Sequence, residues 1–166
     1  IPTDNPKYQD YQAFLKRFGT DGNTMVVGFE TDHFYEKSYF NAVADLQKKI
    51  KSLRGVTAIL NIPDVVNLIN DTANAQFKSV KIFTPPYTDQ AALDSAAFIF
   101  KSLPFYKTLL YSPSSNAYLM GVSLDGAIIN SKNRSVLIYD INTAIHAFEK
   151  ETRSTVHLSG LPYIRT

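Results

Sequence analysis

The side chains best suited to metal binding or acid–base catalysis are three histidines, since the chain contains no cysteine. His33 directly follows Asp32 in a predicted turn. His146 lies beside Ile145 in the middle of a predicted helix, and His157 lies in a predicted strand. No spacing of the zinc-binding type, such as His-Glu-x-x-His, occurs. The sequence therefore favours three solvated or half-buried histidines, with a metal site as the alternative.

Two glycine-containing segments match nucleotide-binding or nucleophile motifs only in part. The segment 19–22 (Gly-Thr-Asp-Gly) lacks the final Lys-Ser/Thr of a phosphate-binding P-loop and does not follow a strand, which favours a helix end and a turn. The segment 121–125 departs from the Gly-x-Ser-x-Gly pattern of serine hydrolases at its last position. We therefore predict that the chain is not an enzyme and has no catalytic residue, no cofactor and no metal.

Basic residues are concentrated near the end of one predicted helix, at Lys48, Lys49, Lys51 and Arg54. Such a cluster can bind phosphate groups or lipid headgroups. Charged residues also lie on the solvated side of any amphipathic helix, and the sequence favours this simpler explanation.

Aromatic residues make up 13% of the chain, with 11 Phe, 10 Tyr and no Trp. Six of them occur in its less regular part, namely Tyr87, Phe98, Phe100, Phe105, Tyr106 and Tyr111. Large aromatic side chains either fill a core or line an apolar cleft for a ligand. Core packing is favoured here, and the residues that would contact a substrate are unknown from the sequence.

The length and hydropathy of the chain indicate how these side chains are positioned. A chain of 166 residues with 45% hydrophobic content can build one core, so we assign 1–166 to a single domain. The 17 basic and 15 acidic residues leave a formal charge of +2, which provides no strong attraction for nucleic acid. The longest uncharged run, 108–124, contains a polar turn and does not predict a membrane span.

The first part of the chain shows clear periodicity. A helix is predicted within 1–19, followed by a first half of the domain over 24–61. This half contains a strand at 24–31, a helix that ends at Gly55, and a strand at 56–60. The apolar face of that helix consists of Tyr39, Val43, Leu46, Ile50 and Leu53.

The segment 62–107 is less regular, and we interpret it as an inserted helical segment. A short helix is predicted near 64–70, and a second helix begins at an Asp89 cap and ends at Pro104. The predicted buried face of the second helix consists of Ala92, Ala96, Ile99 and Leu103.

The second half of the domain, 108–159, contains a predicted hairpin, a helix over 135–152 and a strand at 155–158. With 62–107 set aside, the order strand, helix, strand, strand, helix, strand predicts an α+β fold. It matches a ferredoxin-like split βαβ sandwich with helices on one face of an antiparallel sheet. The first and last strands of that topology are neighbours, so both chain ends should emerge together, as in a loop between two membrane helices. A chain that starts without Met fits an excised part of a longer protein.

A series of short motifs extends over nearly the whole chain outside 62–107. They are Pro6, Tyr8 and Tyr11, the segments 18–21 (Phe-Gly-Thr-Asp) and 53–56 (Leu-Arg-Gly-Val), Arg134, and 156–162 (Val-His-Leu-Ser-Gly-Leu-Pro). In order and spacing the series resembles the first large extracytoplasmic loop of resistance-nodulation-division superfamily exporters. The resemblance is closest to the hydrophobe/amphiphile efflux branch, which is related to the mycobacterial large membrane proteins.

The resemblance implies a porter-type domain on the periplasmic side of a bacterial inner membrane, within a proton-driven exporter of lipophilic or amphiphilic molecules. The domain would line the substrate path and couple the motion of transmembrane helices to access. The implied partners are the rest of the transporter chain with a second porter-type loop, a hydrophobic or amphiphilic small molecule or lipid, and the inner membrane through flanking helices. The proton-carrying residues of such pumps lie in membrane helices, so no catalytic residue is transferred to this chain.

Two alternatives remain open at this stage. One is a stand-alone small-molecule-sensing or regulatory module of the same fold class, which would form a symmetric dimer with a ligand at the seam. The other is an enzyme with an unrecognised site, in which two titratable groups would converge in a cleft.

Overall fold

The periodic segments of the sequence form seven strands and four helices in a computed structural model, which describes residues 22–160. The strands are β1 (Thr24–Glu30), β2 (Val56–Leu60), β3 (Val66–Asp71), β4 (Gln76–Lys81), β5 (Tyr111–Ser112), β6 (Ala117–Leu124) and β7 (Val156–Ser159). The helices are α1 (Lys37–Lys51), α2 (Gln90–Lys101), α3 (Gly126–Ile129) and α4 (Arg134–Thr152). The helix predicted within 1–19 lies outside the described residues.

The main sheet has the strand order β2-β6-β1-β7, and the short β5 also pairs with β6. Every pair of these strands is antiparallel. The alternate side chains Met25, Val27 and Phe29 of β1 are almost fully buried on one face. An α+β fold with an antiparallel sheet is therefore confirmed.

The helices α1 and α4 cover the apolar face of the sheet. The Phe148 ring of α4 lies 5.4 Å from Phe29 of β1 and 5.5 Å from Tyr39 of α1, measured between ring centroids. The buried residues of the predicted faces are Tyr39, Val43, Leu46 and Ile50 in α1 and Ile138, Ile141, Ile145 and Phe148 in α4. Leu53, the fifth residue predicted for the face of α1, lies after the end of this helix and is half-buried. Burial of each such side chain contributes about 1.5–3 kcal/mol before conformational entropy is subtracted, so this interface holds the two layers together.

The predicted helix near 64–70 is wrong. After a 3₁₀ turn at Ile62–Asp64, β3 pairs with β4 in a separate two-stranded sheet. The Asp71 carboxylate accepts hydrogen bonds from the backbone N–H of Ala73 (3.1 Å) and from Nδ2 of Asn74 (2.8 Å), which reverses the chain between the strands. Asn and β-branched residues are weak helix formers, so this local turn and the strand pairing outweigh the helical alternative.

The helix α2 begins where the sequence predicted, because the Asp89 carboxylate accepts from the N–H of Ala91 at 3.0 Å. Its buried face differs from the prediction and consists of Leu93, Ala96, Ala97 and Phe100, which leaves Ile99 exposed. The Phe100 ring lies 5.7 Å from Phe83 and 5.3 Å from Tyr111. Insertion of this large ring between its neighbours explains the rotation of the helix.

The two ends of the described chain lie side by side. Val26 pairs with Ser159, so β1 begins where β7 ends. Gly160 adopts φ +124°, and a Cβ atom there would lie 2.6 Å from the carbonyl oxygen of Thr24. We call this end, with the starts of β1 and β2 and the ends of β6 and β7, the base, and the opposite end the top. Within 22–160, no helix has the length and apolar character that a membrane crossing requires.

Candidate functional site

The three histidines considered for metal binding or acid–base catalysis in the sequence analysis lie in three separate places. His33 lies in the loop after β1, where Nε2 is 3.0 Å from Asp32 Oδ1 and Nδ1 is 2.7 Å from Glu36 Oε1. These three side chains are 60–73% exposed. Because water and salt screen exposed charges, the two contacts contribute little to stability.

The other two histidines also contact single carboxylates. His146 on α4 lies 3.2 Å from Glu149, and His157 on β7 lies 3.4 Å from Glu30, measured between the ring nitrogen and the carboxylate oxygen. Among residues 22–160, no group of three acidic or histidine side chains is placed to hold a metal ion. Ser123, the serine of the segment 121–125, lies in β6 and pairs with Ala58 of β2. Its carbonyl oxygen accepts a hydrogen bond from the Thr57 hydroxyl at 3.1 Å.

A cleft of about 530 Å³ opens at the top of the domain, between the start of α1 and the end of α4. It is lined by Glu30, Thr31, Asp32, His33, Glu36, Ser38, Tyr39, Ala42, Glu151, Thr152, Arg153, Ser154 and Thr155. Four carboxylates therefore face one arginine and one histidine. The remaining lining is mainly hydroxyl groups, so the cleft suits a small polar or cationic molecule.

The floor of the cleft is a chain of hydroxyl groups. Tyr39 Oη lies 3.4 Å from Ser154 Oγ, which lies 2.7 Å from Thr152 Oγ1. The Thr152 hydroxyl in turn donates to the carbonyl oxygen of Phe148 at 2.8 Å. Burial raises the pKa of Tyr39 above its ordinary value, and the hydrogen bond with Ser154 partly opposes this. The phenol therefore remains protonated at neutral pH and can donate a hydrogen bond.

Backbone geometry places this floor next to α4. Arg153 ends α4 in the left-handed conformation, with φ 53° and ψ 38°. A left-handed residue directly after a helix is a common way to reverse the chain direction. It leads the chain into Ser154 and Thr155 and then into β7. The sequence analysis did not identify this cleft, although the spacing of Asp32, His33 and Glu36 within one turn was a local signal for it.

Aromatic side chains form a continuous cluster behind the cleft, between the sheet, α1 and α2. The Phe34 ring stacks on Tyr118 with a centroid distance of 4.0 Å and an angle of 8°. Tyr35 lies beside both rings, and Nζ of Lys101 lies 4.4 Å from the centroid of its ring. The Tyr35 hydroxyl is buried and has no hydrogen-bond partner among the described residues. Burial, with smaller contributions from Tyr118 and Tyr111, holds the pKa of Tyr35 far above its ordinary value.

The six aromatic residues noted in the sequence divide between core and surface. Tyr87, Phe100 and Tyr106 are buried, and Tyr111 is half-buried, so these four belong to the aromatic cluster. Phe98 is 78% exposed and Phe105 is 62% exposed. Core packing therefore accounts for four of the six residues, and the other two lie at the surface.

A second exposed apolar group lies on the hairpin of β3 and β4. Phe77 is 75% exposed and Leu68 is 67% exposed. Because Leu68 pairs with Ser79 and Asn70 pairs with Phe77, Leu68 and Phe77 lie on the same face of the ribbon. We call Leu68, Ile69, Phe77, Phe98, Ile99 and Phe105 the exposed apolar residues. The sequence analysis did not predict those of the hairpin.

The segment that carries the exposed apolar residues is fixed to the rest of the domain by specific hydrogen bonds. Asn41 Nδ2 of α1 donates to the carbonyl oxygen of Tyr87 at 2.8 Å, and the Tyr87 N–H donates to Asn41 Oδ1 at 2.8 Å. Gln90 Nε2 donates to the carbonyl oxygen of Tyr35 at 2.8 Å. The Tyr106 hydroxyl donates to the carbonyl oxygen of Val66 at 2.6 Å, which holds the start of β3.

Comparison of the chain with protein-family models and with curated proteins finds no match.

Proposed function

We propose that the chain is a porter-type periplasmic domain of an inner-membrane exporter of the resistance-nodulation-division superfamily. It lines a path for lipophilic or amphiphilic molecules and couples transmembrane helix motion to access. The observation that carries the proposal is the common base at which the described chain enters and leaves, beside Thr24 and Gly160. A domain whose first and last strands enter and leave at one end can be inserted between two neighbouring membrane helices.

The strand order supports the finer fold assignment within this proposal. With 62–107 regarded as an insertion, β1, β2, β6 and β7 are the first to fourth strands of a βαββαβ unit. They lie in the spatial order fourth, first, third, second. This is the order of a ferredoxin-like split βαβ sandwich, the fold class that the resemblance implies.

The exposed apolar residues support a lipophilic substrate. Single exposed apolar side chains are common at protein surfaces, whereas several large ones on one inserted segment indicate contact with apolar matter. Phe77, Phe98 and Phe105 are each more than 60% exposed. In the proposed exporter these side chains face the substrate path.

The reading frame that encodes the chain tests the proposal. We expect an apolar stretch of roughly 20 residues shortly before Ile1 and another shortly after Thr166. We also expect the complete product to sediment with the inner membrane after cell fractionation. A start codon immediately before Ile1 together with a stop codon after Thr166 would contradict the proposal.

The polar cleft at the top favours one second candidate, a stand-alone small-molecule-sensing or regulatory module. Its hydroxyl floor and its four carboxylates suit a small cationic ligand. Such a module would form a symmetric dimer. Light scattering and thermal unfolding with small amines distinguish the two functions. A dimer that is stabilised by an amine favours the sensor, and a monomer that no amine stabilises favours the exporter domain.

A further inference from the structure

The base of the domain carries a group of basic side chains that come from two different parts of the chain. The helix α1 runs toward the base and ends there, and the turn before α4 lies next to it. We call Lys48, Lys49, Lys51, Arg54, Lys132 and Arg134 the basic patch. The Asp125 N–H donates to the carbonyl oxygen of Gly55 at 2.7 Å, which joins these two parts. Arg54 and Asn133 also line one small cavity of about 240 Å³, together with the acidic residue Asp140.

Four members of the basic patch are not neutralised by ion pairs within the described part of the chain. Lys48, Lys49, Arg54 and Lys132 are exposed, and none of them forms an ion pair with a described residue. The ammonium group of Lys51 donates to a neutral group, the carbonyl oxygen of Thr57, at 2.9 Å. The positive charges of these five residues are therefore exposed to solvent at the base.

Helix stability explains only part of this arrangement. Lysines in the last turn of a helix interact favourably with its dipole, which accounts for Lys48, Lys49 and Lys51 in α1. Arg54 follows the C-terminal end of α1, where the helix dipole also favours a positive charge. Lys132 precedes α4, where a positive charge gains nothing from the helix dipole. Lys132 therefore needs a different reason, and its neighbour Asn133 lines the same cavity as Arg54, which indicates a shared surface.

The opposite end of the domain has the opposite charge. The cleft at the top contains Glu30, Asp32, Glu36 and Glu151 against one arginine. The acidic cleft and the basic patch thus lie at opposite ends of the strands, although Lys37 and Lys150 adjoin the cleft in sequence and Asp125 and Asp140 lie beside the patch. An anionic plane would attract the base and repel the top, which selects one orientation of the domain.

Apolar and aromatic side chains lie next to the basic patch. Val136 is 59% exposed and lines the same cavity as Arg54, and Tyr139, one helical turn further along α4, is 70% exposed. Tyrosine is enriched at the headgroup level of bilayers, where its ring meets apolar chains and its hydroxyl meets water. Basic, aromatic and apolar side chains on one surface match the chemistry of an anionic lipid headgroup layer.

We propose that the basic patch lies on the anionic headgroups of the membrane and fixes the orientation of the domain above it. The inference rests on the proposed function for the location of the domain beside a membrane. The affinity of the patch for anionic lipid is a property of the chain itself. It can therefore be measured without the rest of an exporter.

The test is flotation of the 166-residue chain with vesicles at low salt. One set of vesicles is pure phosphatidylcholine, and the other contains a quarter of phosphatidylglycerol. The test variant carries Lys48→Gln, Lys49→Gln and Arg54→Gln. The control variant carries Lys78→Gln, Lys107→Gln and Lys150→Gln, which remove the same charge from exposed positions away from the base.

Each basic residue at an anionic surface strengthens binding about fivefold, so we expect the test variant to lose about 100-fold in vesicle partitioning and the control less than about 3-fold. The unmodified chain should bind only the anionic vesicles, and less as salt rises. Circular dichroism establishes that both variants remain folded.

Three results would overturn the inference. They are equal losses in the two variants, binding of the unmodified chain to neutral vesicles as strong as to anionic ones, and no binding to either. Tighter binding to a short DNA duplex than to anionic vesicles would assign the patch to nucleic acid and also overturn it. None of these results decides the proposed function, because that depends on the flanking reading frame.

Discussion

Substitution of Asn41 by alanine tests how the inserted segment is attached to α1. The change removes Oδ1, which accepts from the Tyr87 N–H at 2.8 Å, and Nδ2, which donates to the Tyr87 carbonyl oxygen at 2.8 Å. A buried backbone group without a partner costs about 1–3 kcal/mol. Since this site is only partly buried, we take about 1–1.5 kcal/mol for each group. Alanine returns about 0.5 kcal/mol through its higher helix propensity, so the free energy of unfolding should fall by about 2 kcal/mol.

The assay is urea unfolding followed by circular dichroism, with thermal unfolding as a second measurement. For a chain of this size, 2 kcal/mol corresponds to a fall in melting temperature of about 4–8 °C. Asn142→Ala is the matched control, because Asn142 lies inside α4 and no hydrogen bond of its side chain occurs among the described contacts. The control should be unchanged or slightly more stable. If the two variants unfold within about 0.5 kcal/mol of each other, the amide of Asn41 does not anchor the segment.

Three further substitutions give measurable outcomes. Gly160→Ala should lower the free energy of unfolding by more than about 2 kcal/mol, because the φ of this residue is +124° and an added Cβ would meet the Thr24 backbone. Gly28→Ala is the control and should cost much less in the same urea assay, because an added Cβ there would make ordinary contacts of 3.6–3.8 Å. Tyr35→Phe should leave stability unchanged or raise it by about 1 kcal/mol, because it removes a buried hydroxyl without a partner. The pKa of Tyr35 is raised in the folded chain, so its contribution to the free energy of unfolding is complete below the ordinary tyrosine pKa of about 10 and falls as the pH rises above that value. The Tyr35→Phe variant should therefore lose less stability than the unmodified chain between pH ~10 and ~12. Phe77→Ser should weaken the fluorescence of a bound apolar dye and leave the melting temperature within about 2 °C, and an unchanged dye signal would count against the proposed substrate contact.

The main sheet and the helices that cover it could be predicted because their side chains repeat with a regular period. Val43, Leu46 and Ile50 recur at helical spacing, and each is almost fully buried. Gly55 ends the helical stretch, and its φ of +104° shows why glycine is needed there. Where burial on one face decides the structure, sequence periodicity is sufficient to identify the element.

The hairpin of β3 and β4 could not be predicted on this basis. Most of its side chains are exposed on both faces, including Leu68, Ile69 and Phe77. No face is selected by burial, so backbone pairing and the Asp71 turn determine the structure. Both act without an apolar period that a sequence pattern would show.

The cleft at the top was also outside the reach of sequence patterns. Its lining comes from residues 30–42 and 151–155, which are joined only when β7 pairs with β1. The basic patch could be predicted only in part. Its lysines in α1 were recognised in the sequence, whereas the approach of Lys132 depends on the contact between Gly55 and the turn after β6.

The position of β1 between β6 and β7 has a consequence for biosynthesis. The strand is made early, yet both of its neighbours, β6 and β7, come from the second half of the described chain. A ribosome must therefore release the chain as far as β6 before β1 can find either partner. Such distant pairings slow folding toward milliseconds or seconds, so the nascent chain passes through a period in which this apolar strand needs protection from aggregation.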